Sequence, residues 1–109
     1  MEKPIRMTYA SAMVLQALDR GSRHGFDIID ATRLRSGTVY PLLRRFEDAN
    51  LVRSEWEDVE IARGENRPPR KYYELTGAAQ PMLDLARSRY PTLTRTSDMT
   101  EAANQPGNR

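Results

Sequence analysis

A mainly helical domain carrying one small β-hairpin, in the order α-α-α-β-β-α, is the fold class that this sequence predicts. Three observations predict it. Apolar residues recur at three- and four-residue spacings in the first half of the chain and again over residues 76–90. Residues 51–57 alternate as a strand does, and residues 72–75 follow as a second strand after a loop rich in Gly, Pro and Arg. The chain has 109 residues, which sets the expectation of one domain with a modest core.

The elements follow in order. Residues 1–7 read as a short charged arm in which Lys3 and Arg6 are solvated; they lack the apolar run of a secretion signal. A first helix begins near Thr8, with Ala10, Met13, Val14, Ala17 and Leu18 as its apolar stripe and Gly21 as its stop. Met7 and Tyr9 lie beside that stripe, where they extend it toward a second subunit. Residues 24–31 form a short second helix. Phe26 and Ile29 face the core, Asp27 and Asp30 face out, and His24 sits at the entry.

Thr32-Arg33-Leu34-Arg35 is a tight connection, with Leu34 plugging the angle between two helices. The third helix is the centre of the reading. Val39, Leu42, Leu43 and Phe46 fall at i, i+3, i+4 and i+7, and Ser36 stands in front of them as a cap. The opposite face presents Thr38, Tyr40, Pro41, Arg44 and Arg45, with no carboxylate before Glu47. Such a face suits the major groove, whose base edges and phosphates accept hydrogen bonds. An ordinary amphipathic helix with solvated arginines explains the stretch equally well. Pro41 is at odds with a helix interior, where proline costs about 3 kcal/mol. The helix ends at Ala49-Asn50, because Asn adopts the left-handed conformation more readily than most residues.

In the first strand Val52, Ser54 and Trp56 share one face, and Trp56 is expected to pack. Val59 and Ile61 either continue the strand or fold over the loop. Residues 63–71 hold Arg63, Arg67, Arg70 and Lys71 against a single Glu65. Two strands joined by a basic tip directly after a polar-faced helix make a wing. Thr76 caps a last helix whose stripe is Ala79, Met82, Leu83, Ala86 and Tyr90, with Pro81 near its start and Pro91 as its stop. Residues 91–109 read as a polar, disordered tail. The organisation is therefore an arm at 1–7, a winged helix-turn-helix at 8–75, a C-terminal helix at 76–90 and a tail at 91–109.

Composition excludes several functions. The net charge is only +2, so nucleic-acid binding requires local clustering of the basic residues. With no Cys and one His, disulfides and thiolate metal sites are ruled out and no catalytic His–nucleophile pair is evident, so we expect no enzyme and no cofactor. No run approaches the roughly 20 apolar residues of a membrane span, and the cysteine-free chain fits the cytoplasm.

The words His24-Gly25-Phe26-Asp27-Ile28, Ser36-Gly37-Thr38-Val39-Tyr40-Pro41-Leu42-Leu43-Arg44-Arg45-Phe46-Glu47, Leu51-Val52 with Trp56, and Arg67-Pro68-Pro69-Arg70-Lys71-Tyr72-Tyr73-Glu74-Leu75-Thr76 resemble the PadR family of bacterial transcriptional regulators. The similarity covers about residues 8 to 80 in order and spacing. It implies a winged helix-turn-helix homodimer on a pseudo-palindromic operator in double-stranded DNA, usually a repressor, with the proline tolerated inside the recognition helix. Some relatives hold a small-molecule inducer at the subunit interface; none is identified here. The chain departs from the family in a shorter link into Ser36, in Asn50 where glycine is usual, and in a last helix that stops at Pro91.

The site expectations are these. Thr38, Tyr40, Pro41 and Arg44 touch bases. Arg33, Arg35, Ser36, Arg45, Arg67, Arg70 and Lys71 touch phosphates. Met7, Tyr9, Met13, Met82, Leu83, Ala86 and Tyr90 form the dimer contact. The alternative is a winged-helix module that binds protein, suggested by the acidic run Glu55, Glu57, Asp58 and Glu60, which would repel phosphate.

Overall fold

The computed structural model describes residues 5–93. Lys3 of the arm and residues 94–109 of the tail lie outside the described residues. The elements are α1 (Tyr9–Asp19), α2 (Gly25–Thr32), α3 (Ser36–Asp48), β1 (Val52–Trp56), α4 (Val59–Gly64), β2 (Lys71–Leu75), a 3-10 turn (Gly77–Ala79) and α5 (Gln80–Arg89).

Helix α1 is the hub, packed by α2, α3, α5 and β2. Thr8 caps it by accepting the Ser11 N–H at 3.0 Å. A hub is covered on more than one side. Its buried set is therefore wider than a single stripe and includes Ser11, Ala12 and Leu15, while Ala10 and Met13 are only half-buried. The Ser11 hydroxyl donates to the Arg6 carbonyl, so its burial leaves no unmet polar group.

Helix α2 turns in a different phase from the one expected. Gly25, Ile28 and Thr32 face inward, and Phe26 is 71% exposed. Phe26 and Ile28 are two residues apart, which places them on opposite sides of a helix; burying Ile28 thus exposes Phe26. The buried Thr32 hydroxyl donates to the Ile28 carbonyl at 2.7 Å and accepts the Leu34 N–H at 3.2 Å. Arg33 then takes φ 64° and ends the helix.

In α3 the stripe is as the spacing requires: Val39, Leu42, Leu43 and Phe46 are buried. Ser36 is not the cap. It is the first helical residue; Arg35 occupies the capping position and supplies no side-chain bond. Pro41 lies inside the helix. The carbonyl that loses its N–H partner belongs to Gly37, and both residues are exposed, so solvent can serve it. At the other end Leu51 N–H bonds to Phe46 O at 2.8 Å and Asn50 N–H to Glu47 O at 3.0 Å, with Asn50 at φ 67°. That is a Schellman closure, and it turns the chain directly into β1.

Strands β1 and β2 pair antiparallel, Val52 opposite Leu75 and Trp56 opposite Lys71. The segment before α2 adds a third edge: Tyr73 N–H donates to Arg23 O at 2.7 Å, and His24 bridges Tyr72. Val52 is buried, but Trp56 is 65% exposed, against the expectation that it packs. Four residues of strand carry it about 13 Å farther out. After Trp56 the chain makes α4 instead of more strand, capped by Asp58, which accepts the Glu60 N–H at 2.7 Å. Ala62 buries, while Val59 and Ile61 stay exposed.

Thr76 precedes the 3-10 turn without capping it; its hydroxyl donates to Asn50 O at 2.6 Å and ties the wing's exit to the end of α3. Helix α5 starts with Pro81 in its first turn and breaks at Tyr90, after which residues 91–93 are again helical. Because Asn50 has a positive φ, Asn50→Val should lower unfolding free energy by about 1–2 kcal/mol, whereas Asn50→Gly should not; urea titration followed by circular dichroism measures both.

Candidate nucleic-acid interface

The buried stripe of α3 fixes which residues face outward. Ser36, Thr38, Tyr40, Pro41, Arg44 and Arg45 are all exposed, as are Arg33 and Arg35 in the turn before the helix. Among the described residues no carboxylate pairs with Arg33, Arg35, Arg44 or Arg45. Their guanidinium groups are therefore free to meet an anion.

Tyr40 is 43% exposed, and its ring rests on the start of α2. A Cβ at Gly25 would lie 2.1 Å from the Tyr40 hydroxyl, so glycine at that position sets how closely the ring approaches. Gly25 belongs to the His24–Ile28 word that carries the family resemblance, but no local pattern announces its contact with Tyr40, which joins two helices.

The wing tip divides its cations between two tasks. Arg67 is held inside: its two terminal nitrogens reach the Glu57 carboxylate at 2.5 and 2.8 Å, and its side chain is only 19% exposed. Glu57 also accepts Arg70 N–H at 3.2 Å and the Tyr72 hydroxyl at 3.3 Å. These donors, the Arg67 guanidinium first, hold the Glu57 carboxyl at about 2 against burial, which acts to raise it. Arg67, expected on phosphate, thus closes the wing on itself. Lys71 is partly exposed and turns toward α3. Its Nζ lies 3.8 Å from Glu47 Oε1, 5.7 Å from the Trp56 ring centre and 5.9 Å from that of Tyr73. The Arg70 side chain carries no ion pair among the described residues.

Lys71 and Arg44 occupy one side of the molecule. Tyr40, Arg44 and Glu47 are spaced i, i+4 and i+7, hence one flank of α3, and Glu47 touches Lys71. Between the start of α2, with Tyr40 of α3 beside it, and the wing lies an open groove of about 430 Å³, lined by His24, Phe26, Tyr40, Trp56, Lys71 and Tyr73 among others. Glu47 was not singled out from sequence, although its spacing from Tyr40 and Arg44 is the signal. Its carboxylate accepts the Ser54 hydroxyl at 2.5 Å, which ties α3 to β1.

The acidic run is largely taken up internally. Glu57 binds Arg67, Asp58 caps α4 and Glu60 pairs with Arg63 at 2.9 Å. Glu55 stays exposed, and its carboxylate pairs with no basic side chain among the described residues. Of the expected dimer residues, Met7, Leu83 and Ala86 are buried within the chain and serve its core. Tyr9 is 53% exposed and meets Tyr90 edge to face at 5.5 Å; Met13 and Met82 are half-buried.

A short wing, a polar-faced third helix and free arginines along it define a winged helix-turn-helix module built to meet an anionic polymer. The chain belongs to the PadR-like family of transcriptional regulators, whose family model matches residues 14–84; these proteins are regulators, not enzymes. It is similar to a PadR family regulator from Clostridium difficile, with 24% identity over 85% of this chain and 98% of that one and a TM-score of 0.64. It is similar also to a PadR-like transcription factor from Bacteroides fragilis, with 27% identity over 83% and 87% and a TM-score of 0.61. Bordetella bronchiseptica BpsR, whose DNA binding is regulated by 6-hydroxynicotinic acid, shares the fold at 18% identity over 94% of this chain and 67% of that one, with a TM-score of 0.62. No curated protein sequence matches the chain significantly. No helix among the described residues is long and apolar enough to cross a membrane.

The Glu57 geometry sets a pH dependence. A carboxyl depressed from 4.5 to about 2 adds stability that is complete above its unfolded value and is lost as pH falls through the folded one. Glu74, lowered by Arg53, acts in the same sense. The thermal midpoint should therefore fall as pH drops from about 4.5 toward 2, and the fall should be shallower in Glu57→Gln; differential scanning calorimetry in a pH series measures it.

Proposed function

We propose that this protein is a sequence-specific repressor that binds a pseudo-palindromic site in double-stranded DNA as a homodimer, in the cytoplasm. The observation that carries the reading is the unpaired, exposed arginine face of α3, continued on the same side by Lys71. Residues 8–75 bind DNA and the helix at 76–90 supplies the subunit contact. Thr38, Tyr40 and Arg44 read base edges, with Pro41 against a thymine methyl or a sugar. Arg33, Arg35, Arg45, Arg70 and Lys71 neutralise phosphates, and the Ser36 hydroxyl, not needed as a cap, donates to another. Arg67 supports this set indirectly by holding the wing tip. The dimer contact is assigned to Tyr9, Met13, Met82 and Tyr90, the members of the expected set that one chain leaves at least partly uncovered.

Selection from a random pool of duplexes tests the reading. A sequence with two half-sites about one helical turn apart should be enriched, and light scattering should give the mass of a dimer. Arg44→Ala should cost about 1–3 kcal/mol on the selected duplex and far less on a random one. Arg45→Ala should weaken both and reduce the slope of log K against log salt by about one unit. A monomer, or equal losses on both duplexes for Arg44→Ala, contradicts the assignment.

A further inference from the structure

Strand β1 keeps one edge open. Leu51 O accepts the Thr76 N–H and Glu57 N–H donates to Arg70 O, so the odd-numbered residues of β1 turn their backbone groups toward β2. The even-numbered residues turn theirs the other way. The far edge of β2 is taken, because Tyr73 N–H bonds to Arg23 O. The far edge of β1 has no such neighbour: among the described residues the Ser54 and Trp56 backbone groups meet no partner there. Val52 is buried, so the open part begins beyond it. An unpaired strand edge is a template for another strand.

The side chains say which strand fits. Arg53 and Glu55 stand on the face of β1 opposite to Val52, and both are exposed. Ser54 lies between them. When a second β1 is laid antiparallel about a two-fold axis at Ser54, Arg53 of each copy falls opposite Glu55 of the other. The neighbouring registers that keep the backbone bonds do the reverse: one sets Arg53 opposite Arg53, the other Glu55 opposite Glu55. Opposite charges directly across a strand pair stabilise it and like charges destabilise it, so charge selects a single register. The Arg53 Nε donates to Glu74 Oε1 at 2.8 Å, on the β2 side. Glu55 has no basic partner among the described residues. Self-pairing supplies one, and it sets Glu74, Arg53 and Glu55 of the second copy in one row of alternating charge.

We propose that the open edge of β1 is a docking site for β1 of a second copy of this chain. Two wings then join into one sheet with strand order β2-β1-β1-β2. Ser54 exchanges both backbone hydrogen bonds with its counterpart, and Arg53 and Glu55 make two symmetric ion pairs. The contact is isologous, as two-fold pairing requires. It uses a different element from α1 and α5, to which the dimer contact is assigned, so it joins dimers and does not make them. It is short, and exposed ion pairs are weak, so the assembly grows with protein concentration. The proposal does not rest on the DNA-binding reading.

The chain has no cysteine, which makes disulfide trapping unambiguous. In the proposed register residues 53 and 55 form a non-hydrogen-bonded pair with Cα atoms about 4.5 Å apart, within the range that a disulfide spans. Full-length Arg53→Cys and Glu55→Cys proteins are incubated with oxidised glutathione, separately and mixed, and covalent dimers are followed on a non-reducing denaturing gel. The mixture should cross-link severalfold faster than either variant alone, because each alone meets itself only in a shifted register. Equal rates in all three, or a faster rate in one variant alone, overturns the proposal. Charge reversal is the second measurement. In sedimentation velocity the wild type should gain species larger than its basic unit as concentration rises. Arg53→Glu and Glu55→Arg should each lose them, and an equimolar mixture of the two should recover them, since every facing pair is then opposite in charge. Larger species that persist in both single variants, or that fail to return in the mixture, overturn it. Circular dichroism melting checks that each variant folds; both positions are exposed, so the core should stay intact. A wild type that never exceeds its basic unit refutes this contact and leaves the DNA-binding reading standing.

Discussion

Burial of one stripe on α3 decides almost everything else about the molecule. Val39, Leu43 and Phe46 are fully covered, and Leu42 nearly so. Burying side chains of this size is worth about 1.5–3 kcal/mol each, far more than any surface ion pair returns. Helix α3 therefore cannot rotate about its axis without exposing its core side chains. With the roll fixed, Tyr40, Arg44 and Glu47 are committed to the wing side, and Pro41 and Arg45 to the adjoining exposed surface. The Schellman closure at Asn50 then fixes the direction of β1, and the Thr76 bond to Asn50 O brings the wing's exit back to the same corner.

The wing depends on a different device. Its tip has too few apolar residues to hold itself by burial; Ala62 is the one fully covered side chain of α4. Glu57 replaces that missing core. One carboxylate collects the Arg67 guanidinium, the Arg70 N–H and the Tyr72 hydroxyl, and so joins the start of the tip to its end. A bidentate Arg–carboxylate pair of this kind is strong because both partners are charged and the geometry matches. The consequence for function is a division of charge. Arg67 maintains the shape of the tip, while the Arg70 side chain carries no ion pair among the described residues.

How much of this could be read beforehand differs by element. The α3 stripe was legible because four apolar residues at helical spacing have one structural meaning, and Asn50 was legible because few residues tolerate a positive φ. Family resemblance reached the wing through the Arg-Lys-Tyr-Tyr-Glu-Leu-Thr word. What escaped depends on contacts between distant segments. Phe26/Ile29 and Ile28/Thr32 are both acceptable inner faces for an eight-residue helix, and packing chose the second. Val59 and Ile61 alternate like strand residues, yet Asp58 starts a helix there. Trp56 looked like core because tryptophan usually is, but its strand outruns its cover. Arg67 and Glu57 are ten residues apart and announce their pairing by no local pattern.

The most direct test of the account is amide and indole chemical-shift mapping of the folded chain as duplex DNA is added. Shifts should concentrate at Thr38, Tyr40, Arg44 and Lys71 and at the Trp56 indole, with the packed face of α1 unmoved. Perturbations confined to α4, or to the surface shared by α1 and α5, with α3 silent, would contradict the claim that the outward face of α3 and the wing together meet one duplex.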